Sequence, residues 1–240
     1  MNRIGLTIVG LVMGITLLDR TPMADSGGAT SSLPLPALTA EWWQWAASIP
    51  DVPDARNPTL DTTGASCMVG QRGTVWFLAG FGAFGPGGSV IRACSIPEGT
   101  TLFFPVINSV YFNTPACGQN GQSFTVKELR QMVKGFIDIA QNLSVTVDST
   151  RIQKGQLNRV KSIPFEAAFP VENFFGPDAC AAGQPLLAGI YSPSVDDGYY
   201  ASIPPLKPGE HVLHFHAESN SGAFVQDVTY NLTVVPVLLK

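Results

Sequence analysis

The residues best suited to chemistry lie near the end of the chain, in the segment GEHVLHFHAES at positions 209–219. Successive side chains of a strand point to opposite faces, so His214, His216 and Glu218 are predicted to share one face. Leu213 and Phe215 are predicted to point inward from the other face, opposite Val228 of the second strand of this closing hairpin. Two imidazoles and a carboxylate are ligands that Zn²⁺ accepts. The pattern predicts a divalent-metal site and, with it, a metal-dependent hydrolase. The competing interpretation is a solvated strand face, and His211 is expected on the opposite side.

A second candidate is the acidic pair Asp196 and Asp197, which is followed by Tyr199 and Tyr200. Paired carboxylates can bind Ca²⁺, or act as general acid and base in sugar hydrolysis. The order Asp-Asp-Gly is also typical of a solvated turn. With the two tyrosines beside it, this predicted turn would form the rim of a site for a sugar or a polymer.

Three tryptophans, Trp42, Trp43 and Trp45, fall within four positions of a predicted helix at 38–49. As a functional feature they would stack against sugar rings, with Trp43 as the candidate. As a structural feature they would anchor the helix on the sheet. Their helical spacing, which is that of a buried face, favours the structural interpretation.

The usual catalytic signatures are missing from the sequence. It contains no G-x-S-x-G or S-x-x-K motif, and its Gly-rich stretch 80–88 lacks the phosphate-loop pattern. Charged residues make up only 13% of the chain and the net charge is −4, so the sequence has no basic footprint for nucleic acid. A weakly charged surface favours a neutral partner, such as a carbohydrate or another component of the cell envelope.

Four cysteines, Cys67, Cys94, Cys117 and Cys180, predict two disulfides. Three pairings are open, and nearest-neighbour pairing, Cys67 with Cys94 and Cys117 with Cys180, is preferred because it closes compact loops. The spacings fit no zinc pattern.

The N-terminal segment predicts export. Residues 1–26 have a positive start, an apolar run of fifteen residues and small residues before the cleavage point, as in a signal peptide. The alternative is an uncleaved membrane anchor. Residues 27–37 are predicted as a linker and residues 38–240 as one domain, periplasmic or extracellular, with no stable transmembrane anchor after cleavage.

Short apolar runs separated by Gly and Pro predict a mainly β fold of about nine strands and two helices. The helix at 38–49 is short, and a longer one at 125–142 begins with the capping box Thr125 and Glu128. This pattern favours antiparallel sheets in a β-sandwich or jelly roll.

Four segments resemble a group of exported bacterial proteins: WWQWAASIP, DTTGASCMVGQRGTVWFLAG, CSIPEGTTLFFPVIN and DVTYNLTVVP. The resemblance covers most of the chain after the signal peptide. It implies export and a bacterial source, and it carries over no activity and no catalytic or binding residue. The prediction is therefore an exported binding or envelope-associated protein with a neutral or carbohydrate-like ligand. The alternative is a metal-dependent or carboxylate-based hydrolase with its site on the C-terminal hairpin.

Overall fold

The computed structural model describes residues 33–81, 87–153, 155–180 and 183–237 of the protein. The predicted signal peptide (1–26) and residues 27–32 of the predicted linker lie outside these ranges.

Helix α1 spans Leu35–Ser48 and so begins three residues before its predicted start. The linker prediction is therefore wrong for residues 35–37. Pro36 lies in the first turn, where its missing N–H leaves no helical bond unmade and its fixed φ favours the helix. Thr39 lies inside the helix, and its hydroxyl donates to the carbonyl of Pro36 at 3.2 Å. Pro50 follows the C-cap residue Ile49 and cannot continue the helix.

Ten strands lie within the described residues: β1 (Val75–Phe77), β2 (Gly87–Pro97), β3 (Thr101–Phe112), β4 (Gln141–Val147), β5 (Thr150–Arg151), β6 (Leu157–Lys161), β7 (Phe165–Phe169), β8 (Gly189–Ile203), β9 (Gly209–Ser219) and β10 (Phe224–Val235).

These strands form two five-stranded sheets. The first has the order β1-β3-β8-β6, with β7 also paired to β8, and the second has the order β2-β10-β9-β4-β5. The predicted mainly β, sandwich-like fold is confirmed. The prediction of antiparallel sheets is wrong for two strand pairs: β1 pairs with β3, and β2 with β10, in parallel, so the sheets are mixed. Alternation of side chains is the same in both directions, so the pattern of a strand does not reveal the direction of its neighbour.

The main core lies between the two sheets. The rings of Phe104 on β3 and Phe215 on β9 lie 4.7 Å apart across it. In the closing hairpin, Leu213, Phe215 and Val228 are fully buried, which confirms the predicted inward alternation. The turn of this hairpin is a short 3₁₀ segment, Asn220–Gly222.

Helix α2 spans Val126–Asp138 and packs on β8 and β3. Its capping box is formed as predicted, because Thr125 and Glu128 each accept from the backbone of the other. The helix ends four residues before the predicted end at Asn142, since β4 begins at Gln141.

Both disulfides form with the preferred pairing, Cys67 with Cys94 and Cys117 with Cys180. Two disulfides are consistent with an exported protein.

Among the helices in the described ranges, none combines the length and the hydropathy needed to span a bilayer.

Candidate functional site

Helix α1 docks on the outer face of the first sheet through its three tryptophans. Each indole N–H donates to a different partner: Trp42 to the carbonyl of Leu78 at 2.9 Å, and Trp45 to that of Val69 at 2.9 Å. Trp43 donates to Oδ1 of Asp196 at 2.8 Å. All three rings are buried. The structure therefore supports the anchoring interpretation, and the buried ring of Trp43 offers no stacking surface to a ligand.

Asp196 lies inside β8 and has no exposed surface. The prediction of a solvated turn at Asp196 and Asp197 is thus wrong, because two flanking strands pair along both sides of this segment. Burial holds the pKa of Asp196 well above its ordinary value, although the hydrogen bond from Trp43 acts in the opposite direction. Within the part of the chain that the structure describes, Oδ2 of Asp196 has no hydrogen-bond partner.

Tyr200 lies four positions after Asp196, on the same face of β8. Its hydroxyl accepts a hydrogen bond from Nδ2 of Asn108 at 2.9 Å, and its ring stacks on Phe103. Burial, and after it the negative charge of Asp196, raises the pKa of Tyr200. Between them lies Gly198, where a Cβ would come within 2.5 Å of the Cβ of Asn108, so this close contact requires glycine.

Asp197 points to the other face of the first sheet, as successive residues of a strand must. Its two carboxylate oxygens accept from Arg159 at 2.9 and 2.8 Å, and only 1% of the residue is exposed. Arg159 also binds Asp138 of α2 at 2.8 Å. Tyr199 shares this face and is partly buried against the main core. The four residues predicted as one ligand-binding rim are therefore divided between two faces.

His214 and His216 lie on the outer face of the second sheet, as predicted, but each contacts a carboxylate. Nε2 of His214 lies 2.7 Å from Oδ1 of Asp227, and Nε2 of His216 lies 3.2 Å from Oε1 of Glu218. His211 lies apart, beside Asp148. Considering only residues in the described ranges, no three His, Cys, Asp or Glu side chains are placed to hold a metal ion.

Among the residues that the structure describes, Arg92 of β2 is the largest fully buried side chain, and it contacts three segments of the chain. It donates to the carbonyls of Asp61 and Ala79 and to the hydroxyl of Tyr230, each at 2.7 Å. Its Nη2 has no partner among the described residues. These hydrogen bonds hold the loop before β1 and the loop after β1 against the second sheet. We interpret the role of Arg92 as structural.

A cleft of about 270 Å³ lies at the end of β3, next to the second disulfide. We call it the disulfide cleft and define it by its lining residues, which are Val110, Tyr111, Phe112, Thr114, Cys117, Gly118, Phe175, Ala179 and Leu186. None of these lining residues carries a charge, and three are aromatic. The Cys117–Cys180 bond joins the two loops that form its walls.

The disulfide cleft borders the buried carboxyl group. Val110 of its lining is the cross-strand partner of Asp196, and the ring of Phe112 lies 5.6 Å from that of Trp43. The sequence alone does not predict this cleft, because its walls come from two loops whose disulfide cysteines lie 63 positions apart. The predicted pairing of Cys117 with Cys180 is the one signal in the sequence that brings these loops together.

No family model, no curated protein and no solved structure matches this chain.

Proposed function

We propose that this is an exported protein that binds an uncharged ligand in the disulfide cleft. The observation that carries the proposal is the lining itself, in which aromatic and aliphatic groups surround a concave surface without a charged side chain. Ligand pockets are typically of this kind, with a few polar groups that fix orientation. The two disulfides and the low overall charge support the same proposal.

The chemistry of the lining explains why a neutral ligand is favoured. A charged group that entered the cleft would lose its hydration without gaining an ion pair, which is strongly unfavourable. The polar side chains among the lining residues, Tyr111 and Thr114, are uncharged, and the hydroxyl of Thr114 already donates to the carbonyl of Cys117 at 2.9 Å. The aromatic faces suit a ring, an aliphatic side chain or the apolar face of a sugar.

The volume of the disulfide cleft limits the size of the ligand that it can bind. At about 270 Å³, the disulfide cleft lies just below the range of roughly 300–1,000 Å³ that is usual for drug-sized ligands. It therefore takes one ring or one large side chain of a ligand, and the rest of a longer ligand would extend outside.

The proposal is tested by measuring binding to three sets of uncharged probes: neutral oligosaccharides, capped peptides without charged residues, and detergent-solubilised cell-envelope lipids. Calorimetry and shifts of the thermal unfolding midpoint report binding, since a ligand of the native state stabilises it. We expect at least one set to bind, and Ala179→Trp, which fills the cleft from an exposed position, to abolish that binding.

A matched control is Ala65→Trp. Ala65 is also exposed and lies two residues before a disulfide cysteine, but at the other disulfide. This variant should bind the probe like the wild type. The proposal fails if no probe binds, or if a bound probe is unaffected by Ala179→Trp.

A further inference from the structure

The open edge of β3 indicates what kind of ligand binds in the disulfide cleft. This inference rests on the proposed function. We propose that the ligand of the disulfide cleft is an extended, uncharged peptide segment. It adds as a strand to β3 along Asn108–Phe112 and places one large apolar side chain in the cleft.

β3 has a neighbour on both sides only at its start. On one side β8 pairs with it from Leu102 to Phe112, whereas on the other side β1 pairs only with residues 101–103. Further along this second side, the side-chain amide of Gln226 donates hydrogen bonds to the carbonyls of Pro105 and Val106. Beyond this point, no strand within the described ranges pairs with the second side of β3.

The pairing with β8 determines which backbone groups lie on the open side. Asp196, the cross-strand partner of Val110, directs its N–H to the hydroxyl of Ser162 and its carbonyl to the N–H of Ser162, away from β3. Asp196 and Val110 therefore form a non-hydrogen-bonded pair of the antiparallel ladder.

It follows that Val110, and with it Asn108 and Phe112, directs its backbone N–H and C=O to the open side. In the part of the chain covered by the structure, no backbone group bonds to them there. They form a short ladder of donors and acceptors that an added strand would complete.

The disulfide cleft begins at this edge. Its lining includes the consecutive residues Val110, Tyr111 and Phe112, whose side chains point to alternate faces. The lining includes these three residues but none from β8, so the cavity lies on the side of β3 that faces away from β8. A segment paired with the open ladder would thus pass directly over the cleft.

The chemistry of the edge also favours an added strand. Natural edge strands are usually protected by lysine, proline or a bulge. β3 has its proline and its register shift at Pro105 to Ile107, before the open part, and the sequence INSVYF that follows contains no charge. The part of the edge that lacks these protections is the part that borders the cleft.

A peptide fits this arrangement better than a sugar or a second copy of the chain. Strand addition supplies regularly spaced backbone bonds, while a pocket beside the edge selects a side chain. A sugar would leave the ladder of Asn108, Val110 and Phe112 incomplete. A second copy would bring its own sheet and loops against the loops that carry Thr114, Cys117 and Phe175, whereas an extended peptide brings a single strand.

The first test needs no ligand. Amide hydrogen exchange, followed residue by residue by NMR, should show fast exchange at Val110 and Phe112 in the free protein. Ser109 and Tyr111, which face β8, should exchange slowly. Equal protection of both pairs would overturn the inference, because the edge would then not be open.

The second test uses capped nonapeptides of Thr, Ser and Val with a single central Phe or Leu. Each is compared with two N-methylated forms, in which the methyl groups remove the N–H groups of either the odd or the even positions. We expect the parent peptide to bind and to slow exchange at Val110 and Phe112. One methylated form should lose at least tenfold in affinity, whereas the other should bind like the parent.

The outcomes separate this inference from the proposed function. If both methylated forms bind like the parent, or if only a glycan or lipid binds, the peptide-strand inference is overturned while a neutral-ligand site remains. If no probe binds, the proposed function fails as well. Sedimentation should show a monomer; a dimer that slows exchange at Val110 and excludes the peptide would also overturn the inference.

Discussion

Trp43 and Asp196 meet at 2.8 Å across 153 positions of the chain, and their hydrogen bond joins helix α1 to the middle of β8. The bond lies next to the disulfide cleft, since Phe112 contacts the ring of Trp43 and Val110 pairs with Asp196. The position of this wall of the cleft therefore depends on how α1 is held.

Trp43→Phe should lower the free energy of unfolding by about 1–3 kcal/mol, because it removes the hydrogen bond that Oδ1 of the buried Asp196 accepts from the helix. Urea unfolding followed by far-UV circular dichroism measures the change. Trp45→Phe is the matched control and should have a smaller effect, because its carbonyl partner lies in a partly exposed loop. Equal effects of the two variants would contradict the special role of the Trp43 bond.

The raised pKa of Asp196 predicts a pH dependence of stability. Tyr200, Asp197 and Arg130 act on this group, but burial is the main cause of the shift. Below about pH 4 both states hold the proton. As pH rises, the unfolded state ionises first, so the contribution of Asp196 to stability falls until the pH passes its folded pKa.

Asp196→Asn removes this titration and keeps an oxygen that can accept from Trp43. The free energy of unfolding of this variant, relative to the wild type, should therefore increase from pH 4.5 to pH 7.5. Comparison at each pH cancels the contributions of the other carboxylates. A difference that stays constant with pH would show that Asp196 does not retain its proton in the folded protein.

Arg159 is expected to stabilise the fold through the buried carboxylate of Asp197. Arg159→Met should lower the free energy of unfolding by about 3 kcal/mol, the low end for a broken buried pair, because Arg159 itself keeps some exposure. Adding Asp197→Asn should recover part of this loss. Lys134→Met, which removes an exposed helical pair with Asp138, should change stability by no more than about 0.5 kcal/mol.

The two disulfides should have separable effects. Replacing Cys117 and Cys180 by serine opens a 63-residue loop and should lower stability by about 4 kcal/mol, and it should also abolish ligand binding. Replacing Cys67 and Cys94 opens a 27-residue loop and should lower stability by about 3.5 kcal/mol while binding persists. Binding that survives loss of the Cys117–Cys180 bond would show that this bond does not hold the cleft.

Metal content and a substitution of His214 test the alternative function, a metal-dependent hydrolase with its site at His214 and His216. Because no three His, Cys, Asp or Glu side chains of the described residues are placed to hold a metal ion, we expect elemental analysis of the dialysed protein to find less than stoichiometric transition metal. His214→Ala should change the free energy of unfolding by less than about 1 kcal/mol, as for a partly exposed ion pair. Stoichiometric zinc that is lost in His214→Ala would favour the hydrolase over the binding protein.

Features that depend on near neighbours were determined by the sequence alone. The capping box of Thr125 and Glu128 needs residues three positions apart, and the alternation of Leu213 and Phe215 needs only a strand. Both were predicted and are confirmed. The pairing of Cys117 with Cys180 was also predicted, because the shortest closed loops are favoured among a few cysteines.

The tertiary structure alone decided the setting of Asp196 and Asp197. Locally, Asp-Asp-Gly is typical of an exposed turn. Here Trp43 and Arg159 supply hydrogen bonds from distant parts of the chain, so both carboxyl groups lie inside a strand. The disulfide cleft could likewise not be predicted from the sequence, since it depends on two loops that meet only in space. How much of β3 stays open depends on where β1 stops pairing. Such contacts between distant segments produce no periodic pattern in the sequence from which they could be predicted.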